Sequence, residues 1–401
     1  MKNERLLLLT LSAAMFTHIL DFMIMMPLGQ HLIEVLQIDA RQFSILVASY
    51  SVTAGIAGFI GAFVIDRFDR RTALLFIYTG FSIGTLACAF APGYGFLLLT
   101  RSLTGAFGGV LGALVLSIVS DAVPLERRAK GIGSVMASFG VASVVGVPFG
   151  LLIADQVSWH TPFLFLGILG TIILIVMFYV IPSMTNHMSH LNASPASVVK
   201  KIFTSPNTQL GLTFSSLLML GHFTIIPFVA TYMVGNVGFS KTELTYIYLV
   251  GGLATMIFSP IIGRMADKYG RLRIFTIFGS LVIIPIVLIT NLSPVPVWLA
   301  LLISAIFFIF SNGRMVPSTT METAVIAPEM RGSYMSIRSS VQQLTSGFAS
   351  FIAGLILSEA PSKFGTKAIA LLNYQHVGMI AVFFSIVSLV VARKLTVAQG
   401  A

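Results

Sequence analysis

Two ionisable residues three positions apart, His18 and Asp21, interrupt an apolar run near Leu6–Leu28. A charge at bilayer depth costs at least about 2.5–3.5 kcal/mol on insertion scales, so a carboxylate kept there is a candidate for function. The i, i+3 spacing puts both side chains on one helical face. A carboxylate beside an imidazole, shielded from bulk water, can have its proton affinity set by burial and by its partner. A proton-coupled carrier needs such a group, one that gains a hydrogen ion on one side of a membrane and loses it on the other. The competing role is a structural hydrogen bond holding the helix. His222 lies in another apolar run at nearly the equivalent depth, where it can join a relay, touch a solute or simply pack. Arg101 and Arg314 also fall inside apolar runs. A guanidinium keeps its proton, yet it can favour the charged form of a nearby carboxylate. Arg101 can equally bind backbone carbonyls, and Arg314 has no acidic partner in its own run.

The elements that must position these residues follow from composition. Of 401 residues, 56% are apolar and 9% charged, against about 25% charged in a soluble chain. That excludes a cytosolic enzyme, a disordered protein and a coiled coil. About 20 apolar residues make one crossing helix, and the chain offers runs near Leu6–Leu28, Ser44–Ile65, Ala73–Ala91, Phe96–Val119, Gly131–Ala154 and Pro162–Ile181. A second set lies near Leu210–Val234, Thr245–Ile262, Ile274–Thr290, Val297–Thr319, Ser333–Leu357 and Leu371–Ala392. The expected fold is an all-α integral membrane protein of twelve transmembrane helices in two pseudo-symmetric six-helix bundles. The bundles are expected over 1–181 and 209–401, with a cytoplasmic linker over 182–208 whose stretch Ala196–Phe203 can form a short amphipathic helix.

Eighteen of the 24 Lys and Arg residues fall at one set of span ends, against four (Arg41, Lys241, Lys363 and Lys367) at the other. By the positive-inside rule both termini face the cytoplasm, so the protein is expected in the cell membrane of a prokaryote. The net charge of +10 is then a topology signal and not a nucleic-acid surface. Cys88 is alone and buried in an apolar run, which excludes an internal disulfide.

The halves repeat at a spacing of about 201 residues: Asp66-Arg67-Phe68-Asp69-Arg70-Arg71 after the second run matches Asp267-Lys268-Tyr269-Gly270-Arg271-Leu272-Arg273 after the eighth. Carboxylates beside arginines at helix N-termini can latch the ends of two bundles in one conformation and let go in another. The latch candidates are Asp66, Arg70, Arg71, Asp267, Arg271 and Arg273.

This repeated loop, together with Arg101-x-x-x-Gly105, resembles the major facilitator superfamily. Gly146-Val147-Pro148-Phe149-Gly150 is similar to the antiporter motif of the twelve-span drug/proton antiporter family. Asn312-Gly313-Arg314-Met315-Val316-Pro317 looks like its arabinose-exporter-type branch. Asp69 and Ala62 depart from the glycines usual in the first loop. The resemblance implies the major facilitator fold and ties Arg101 to proton coupling, which adds it to the candidates Asp21, His18 and His222 read above from their own chemistry. It also places Tyr50, Asn312, Gln342 and Gln343 on helices lining a central cavity, with Arg314 as a further candidate for an anionic or hydroxyl-rich solute. Gly146, Pro148 and Gly150 would form a pliable, tightly packed seam. Met23, Met25 and Met26 read as an adaptable wall or as lipid-facing filler.

No phosphate loop, nucleophile triad or metal-binding motif occurs, so the expectation is a non-enzyme without cofactor or metal, working as a monomer. Its partners would be a small-molecule substrate, protons and the lipid bilayer, with no nucleic acid. The function expected is secondary active transport, proton-coupled efflux of a sugar-like or drug-like solute by alternating access. Uptake or facilitated diffusion is the alternative, and a non-transporting membrane sensor is the alternative of another class.

Overall fold

In hydrocarbon an apolar run satisfies its backbone N–H and C=O groups only by bonding them internally, as a helix. The computed structural model describes residues 4–185, 195–326, 330–364 and 368–396, apart from the side chains of Asp66, Leu125, Ala129 and residues 195–198. The first half contains α1 (Glu4–Ile24), α2 (Gly29–Leu36), α3 (Ala40–Val64), α4 (Arg70–Ala89), α5 (Tyr94–Ala122), α6 (Leu125–Val141), α7 (Val147–Gln156) and α8 (Thr161–Val180). After α9 (Pro195–Thr204), the second half contains α10 (Pro206–Phe223), α11 (Ile226–Tyr232), α12 (Lys241–Tyr269), α13 (Arg271–Leu281), α14 (Ile283–Thr290), α15 (Val297–Thr323), α16 (Arg331–Ile356) and α17 (Tyr374–Ala392).

Among the described residues four of the spans are interrupted, each close to a proline, the fourth between α13 and α14 ahead of Pro285. A missing N–H and a bulky ring break the i→i−4 ladder. The first span stops at Ile24 ahead of Pro27, and α10 stops at Phe223 ahead of Pro227. Between α6 and α7 one turn widens to π geometry over Ala142–Gly146, just before Pro148. Each break thus falls two to four residues ahead of a proline.

Among the described residues, eleven stretches are long and apolar enough to cross a membrane. The expected eleventh run is α16, long enough at 26 residues but too polar to count with them. Its small and hydroxyl residues face protein on two sides. Side chains added at Gly347 and Gly354 would strike α3 at Ala48 and Ser44, and one added at Gly55 would strike α16 at Ser340 and Leu344. Thr345 of α16 in turn donates to Ser216 of α10 at 3.4 Å. This α3–α16 seam joins the two halves along nearly its whole length.

On the opposite flank the halves meet differently. A side chain at Gly252 of α12 would press on Ser143 and Val144 of the π turn, and α12 continues along α7 while scarcely touching α6. The halves thus stand apart at the end that carries the termini.

Two elements depart from the sequence expectation. The linker stretch does form a helix, but Ile202 of α9 is fully buried against Tyr334 and Ile337 of α16, so its apolar face packs on protein. A two-stranded antiparallel hairpin, β1 (Ser358–Pro361) and β2 (Ile369–Leu372), stands where only a loop was expected.

Candidate functional site

The deepest charges belong to α1 and α5. Arg101 donates through Nη1 to Asp21 Oδ2 at 2.8 Å, and Thr85 of α4 donates to Asp21 Oδ1 at 3.2 Å. Asp21 is 0% exposed and Arg101 1%. A pair so placed must keep both partners, because removing either leaves an uncompensated buried charge. The guanidinium also lies 4.5 Å from the centroid of the Tyr50 ring, a cation–π contact. The Tyr50 hydroxyl meets His18 Nδ1 at 3.3 Å. His18 therefore does not bond Asp21 directly, as the i, i+3 spacing suggested. Its ring instead turns toward Tyr50 and packs edge-on against Phe81, so Arg101 and Tyr50 stand between the two.

Glycines make this approach possible. Side chains at Gly105 and Gly108 of α5 would strike the Tyr50 carbonyl and the Tyr50 hydroxyl. A Cβ at Gly146 would lie 2.8 Å from Leu20, and one at Gly150 would lie 2.7 Å from Ile24. Gly146 and Gly150 thus seat directly on Leu20 and Ile24, one residue before and three after Asp21.

The second half repeats the plan with other residues. His222 lies 201 positions after Asp21, and buried Arg314 of α15 stands near it. Arg314 donates through Nη1 to Ser385 at 2.8 Å, while its Nε and Nη2 have no partner. No carboxylate pairs with Arg314 among the described residues. His222 stacks parallel to Phe307, and its Nδ1 is also without a partner.

Between the halves lies a cavity of about 240 Å³. The first half lines it with His18, Ile19, Phe22 and Met23 of α1, with Met26 and Pro27 just after it, with Phe139 of α6, and with Ser143 and Val147. The second half contributes His222, Tyr248, Thr255, Ser311, Asn312 and Gln343, set among Phe223, Ile226 and Phe308. Phe139 is 43% exposed, and it marks the opening between α6 and α12 toward the terminal end. Of the expected solute contacts, Asn312 and Gln343 reach this wall. Tyr50 and Arg314 are buried behind it, and Gln342 is not on it. Met25 is buried at 1% exposure outside the wall.

The latch residues are only partly engaged. Arg70 pairs with Asp121 at 3.2 Å. Arg71 donates to the Phe178 carbonyl at 2.6 Å. Asp69, where a glycine was usual, caps α4 and accepts from the Met184 N–H at 2.6 Å. The Asp66 side chain lies outside the described residues. In the second half Asp267, Arg271 and Arg273 are exposed and enter no ion pair among the described residues. The first loop is tied within its own half, and the second is free.

Sequence reasoning missed Glu322, which is fully buried on α15 and paired with Arg338 of α16. Glu322 lies 201 positions after Asp121, and that repeat spacing was the signal that could have found it. Also missed was the clasp at the end opposite the termini. There Lys241 pairs with Glu34 at 2.8 Å, Thr242 donates to Asp155 at 3.2 Å, and the Ala40 N–H at the start of α3 donates to Glu359 of β1. All three contacts cross between halves.

Comparison with known proteins agrees with this architecture. The family model described as the Major Facilitator Superfamily matches the chain twice, over 11–221 and 211–399. The MFS-type transporter YceJ of Bacillus subtilis is 24% identical, covering 86% of this chain and 87% of its own. A probable sugar efflux transporter of Helicobacter pylori is 21% identical over 59% of each chain. Among solved structures, a bacterial homolog of the human lysosomal transporter Spinster, inward-facing and unoccupied, superposes with a TM-score of 0.74 at 15% identity, covering 98% and 97% of the two chains. The chain belongs to the major facilitator superfamily, and is accordingly a multi-pass membrane transporter of small solutes and not an enzyme.

Proposed function

We propose that the protein is a proton-coupled exporter of a small organic solute, working by alternating access as a monomer in a prokaryotic cell membrane. Both termini face the cytoplasm, as the charge bias implies, so the open cleft between α6 and α12 faces the cytoplasm too. The moving bodies are residues 1–181 and 209–401, connected through 182–208. The arabinose-exporter-like motif and the sugar efflux relative favour export over uptake.

One observation carries the coupling: Asp21 and Arg101 form a buried ion pair whose guanidinium touches Tyr50, which touches His18 on the cavity wall. A proton taken up by Asp21 removes the charge that holds Arg101. Arg101 then shifts against the Tyr50 ring, and the Tyr50 hydroxyl passes that shift to His18, which faces the solute. Loss of the proton to the cytoplasm restores the pair as solute binds. His222, beside Arg314, is the corresponding polar contact of the second half. Asp69, Arg70 and Arg71 hold the terminal end of the first half, and Asp267, Arg271 and Arg273 close against it when the cleft shuts.

The test is Asp21→Asn in proteoliposomes. Gradient-driven transport should be abolished while counterflow of labelled solute persists. Undiminished proton-driven transport by that variant removes the proposal.

A further inference from the structure

The two walls of the central cavity differ in chemistry. The first half presents a mainly apolar and polarizable surface of Ile19, Phe22, Met23, Met26, Phe139 and Val147, with His18 and Ser143 as its polar members. The Ser143 hydroxyl already donates to the Phe139 carbonyl, and His18 Nδ1 meets Tyr50. The second half presents hydrogen-bonding groups, and three of its polar atoms, Tyr248 Oη, Ser311 Oγ and His222 Nδ1, are buried with no protein partner. Each such group costs about 1–3 kcal/mol while unpaired, so a solute that pairs with it is bound selectively. Two of the three are hydroxyls able to donate, which matches a solute carrying acceptors such as a carbonyl or lactone.

The charges behind the wall sharpen this. No carboxylate or ammonium lines the cavity. The Asp21 charge is matched by Arg101 at 2.8 Å. Arg314 is buried at 1% exposure with only Ser385 as partner, so the field at the second wall is positive. A cationic solute would be repelled, since Coulomb interactions are strong in a low-dielectric site. An anion would have to shed its hydration against the apolar first wall. A sugar, with hydroxyls around its whole rim, would leave those facing Ile19, Phe22, Met23 and Met26 unpaired, since on α1 only His18 offers a polar group. The volume of about 240 Å³ lies just below the roughly 300–1,000 Å³ of drug-sized sites, which calls for a small molecule.

We propose that the solute is a small uncharged amphipath. One flat apolar face lies on Phe22, Met23 and Met26, and one acceptor-bearing edge is held by Tyr248, Ser311 and Asn312. This rests on reading the cavity as the transported solute's site. It departs from the sugar named for the Helicobacter pylori relative.

Four probes separate the charge classes: 7-methoxycoumarin (neutral and flat, with acceptors), coumarin-3-carboxylate (anion), tetraphenylphosphonium (cation) and D-xylose (sugar). Binding to the purified full chain should be saturable and tightest for 7-methoxycoumarin. Asn312→Ala and Tyr248→Phe should each weaken it by about tenfold, with thermal melts of the unliganded variants confirming that they fold. Gln343→Ala is the reserve variant if either does not fold. No saturable binding of 7-methoxycoumarin, binding of any other probe within about threefold, or variants that leave its affinity unchanged would overturn the proposal. The carrier reading is tested separately, by a pH dye inside vesicles. Tetraphenylphosphonium bound tightest and moved with protons would sink the solute class and leave the carrier. Saturable 7-methoxycoumarin binding without proton movement would do the reverse.

Discussion

At the scale of single residues, the buried Asp21–Arg101 pair is the feature with the highest stakes. Its worth comes less from attraction than from the cost of breaking it, since one buried charge left alone destabilises a fold by about 3–5 kcal/mol. Arg101→Met should therefore lower stability by about that amount, read as a drop in thermal unfolding temperature in detergent. Combining it with Asp21→Asn should recover much of the loss, because both charges are then gone. Equal melting of the single and double variants would mean that Arg101 acts through packing on Tyr50 and Phe163, not through the carboxylate. Asp21 was recognisable in the sequence, because an acid kept in an apolar run carries an insertion cost that something must offset. Its partner was not, since Arg101 lies on another helix and only packing decides which helices adjoin.

At the scale of elements, the short connection before α4 shows how a departure from a motif can acquire its own role. Asp69 caps α4 at Arg71 and also accepts from the Met184 N–H, which ties the segment after α8 to the start of α4. Burial alone would raise its carboxyl. The backbone N–H groups of Met184 and Arg71, with Ser183 and Thr72, outweigh that and hold it below 3.8. The sign follows: this stabilisation is full above the unfolded value near 3.8 and is lost as pH falls through the lower folded value. Asp69→Ala should cost about 1 kcal/mol at neutral pH, the usual loss for a cap. It should also speed hydrogen exchange at the Arg71 and Met184 amides. In the unaltered protein that exchange should accelerate, beyond its intrinsic pH trend, only under strong acid. Similar reasoning explains α16. Its polarity hid it from a hydropathy count, yet glycine and serine are what a helix needs to lie close to two neighbours at once.

At the scale of the whole molecule, the two halves touch along one full seam, α3 with α16, and along half of another, α12 with the π turn and α7. The clasp at the end opposite the termini holds the second seam shut there. The Lys241–Glu34 pair is partly exposed, with side chains 31% and 12% accessible, so solvent screening limits it to about 0.2–1 kcal/mol. Lys241→Met should thus shift the balance between conformations by about 1.5- to 5-fold toward opening at that end. Labelling of a cysteine placed at Phe139, in a Cys88→Ser background, should fall accordingly. An unchanged rate would assign the clasp to Glu359 and the hairpin instead.

Local chemistry settled much of this protein before any coordinates. Apolar length, the one-sided distribution of arginine and lysine, and a repeat at 201 positions specify a membrane protein of two related bundles, because hydrocarbon permits little else. The breaks ahead of Pro27 and Pro148 are equally local, since a missing N–H acts where it stands. Tertiary structure alone decided that Tyr50 stands between His18 and Asp21, that Arg314 has no acid beside it among the described residues, and that Asn312 reaches the cavity while Gln342 does not. Those outcomes depend on helix rotation and on close approaches at Gly105 and Gly347. Rotation about a helix axis is set by packing against neighbours, which no single run of residues encodes.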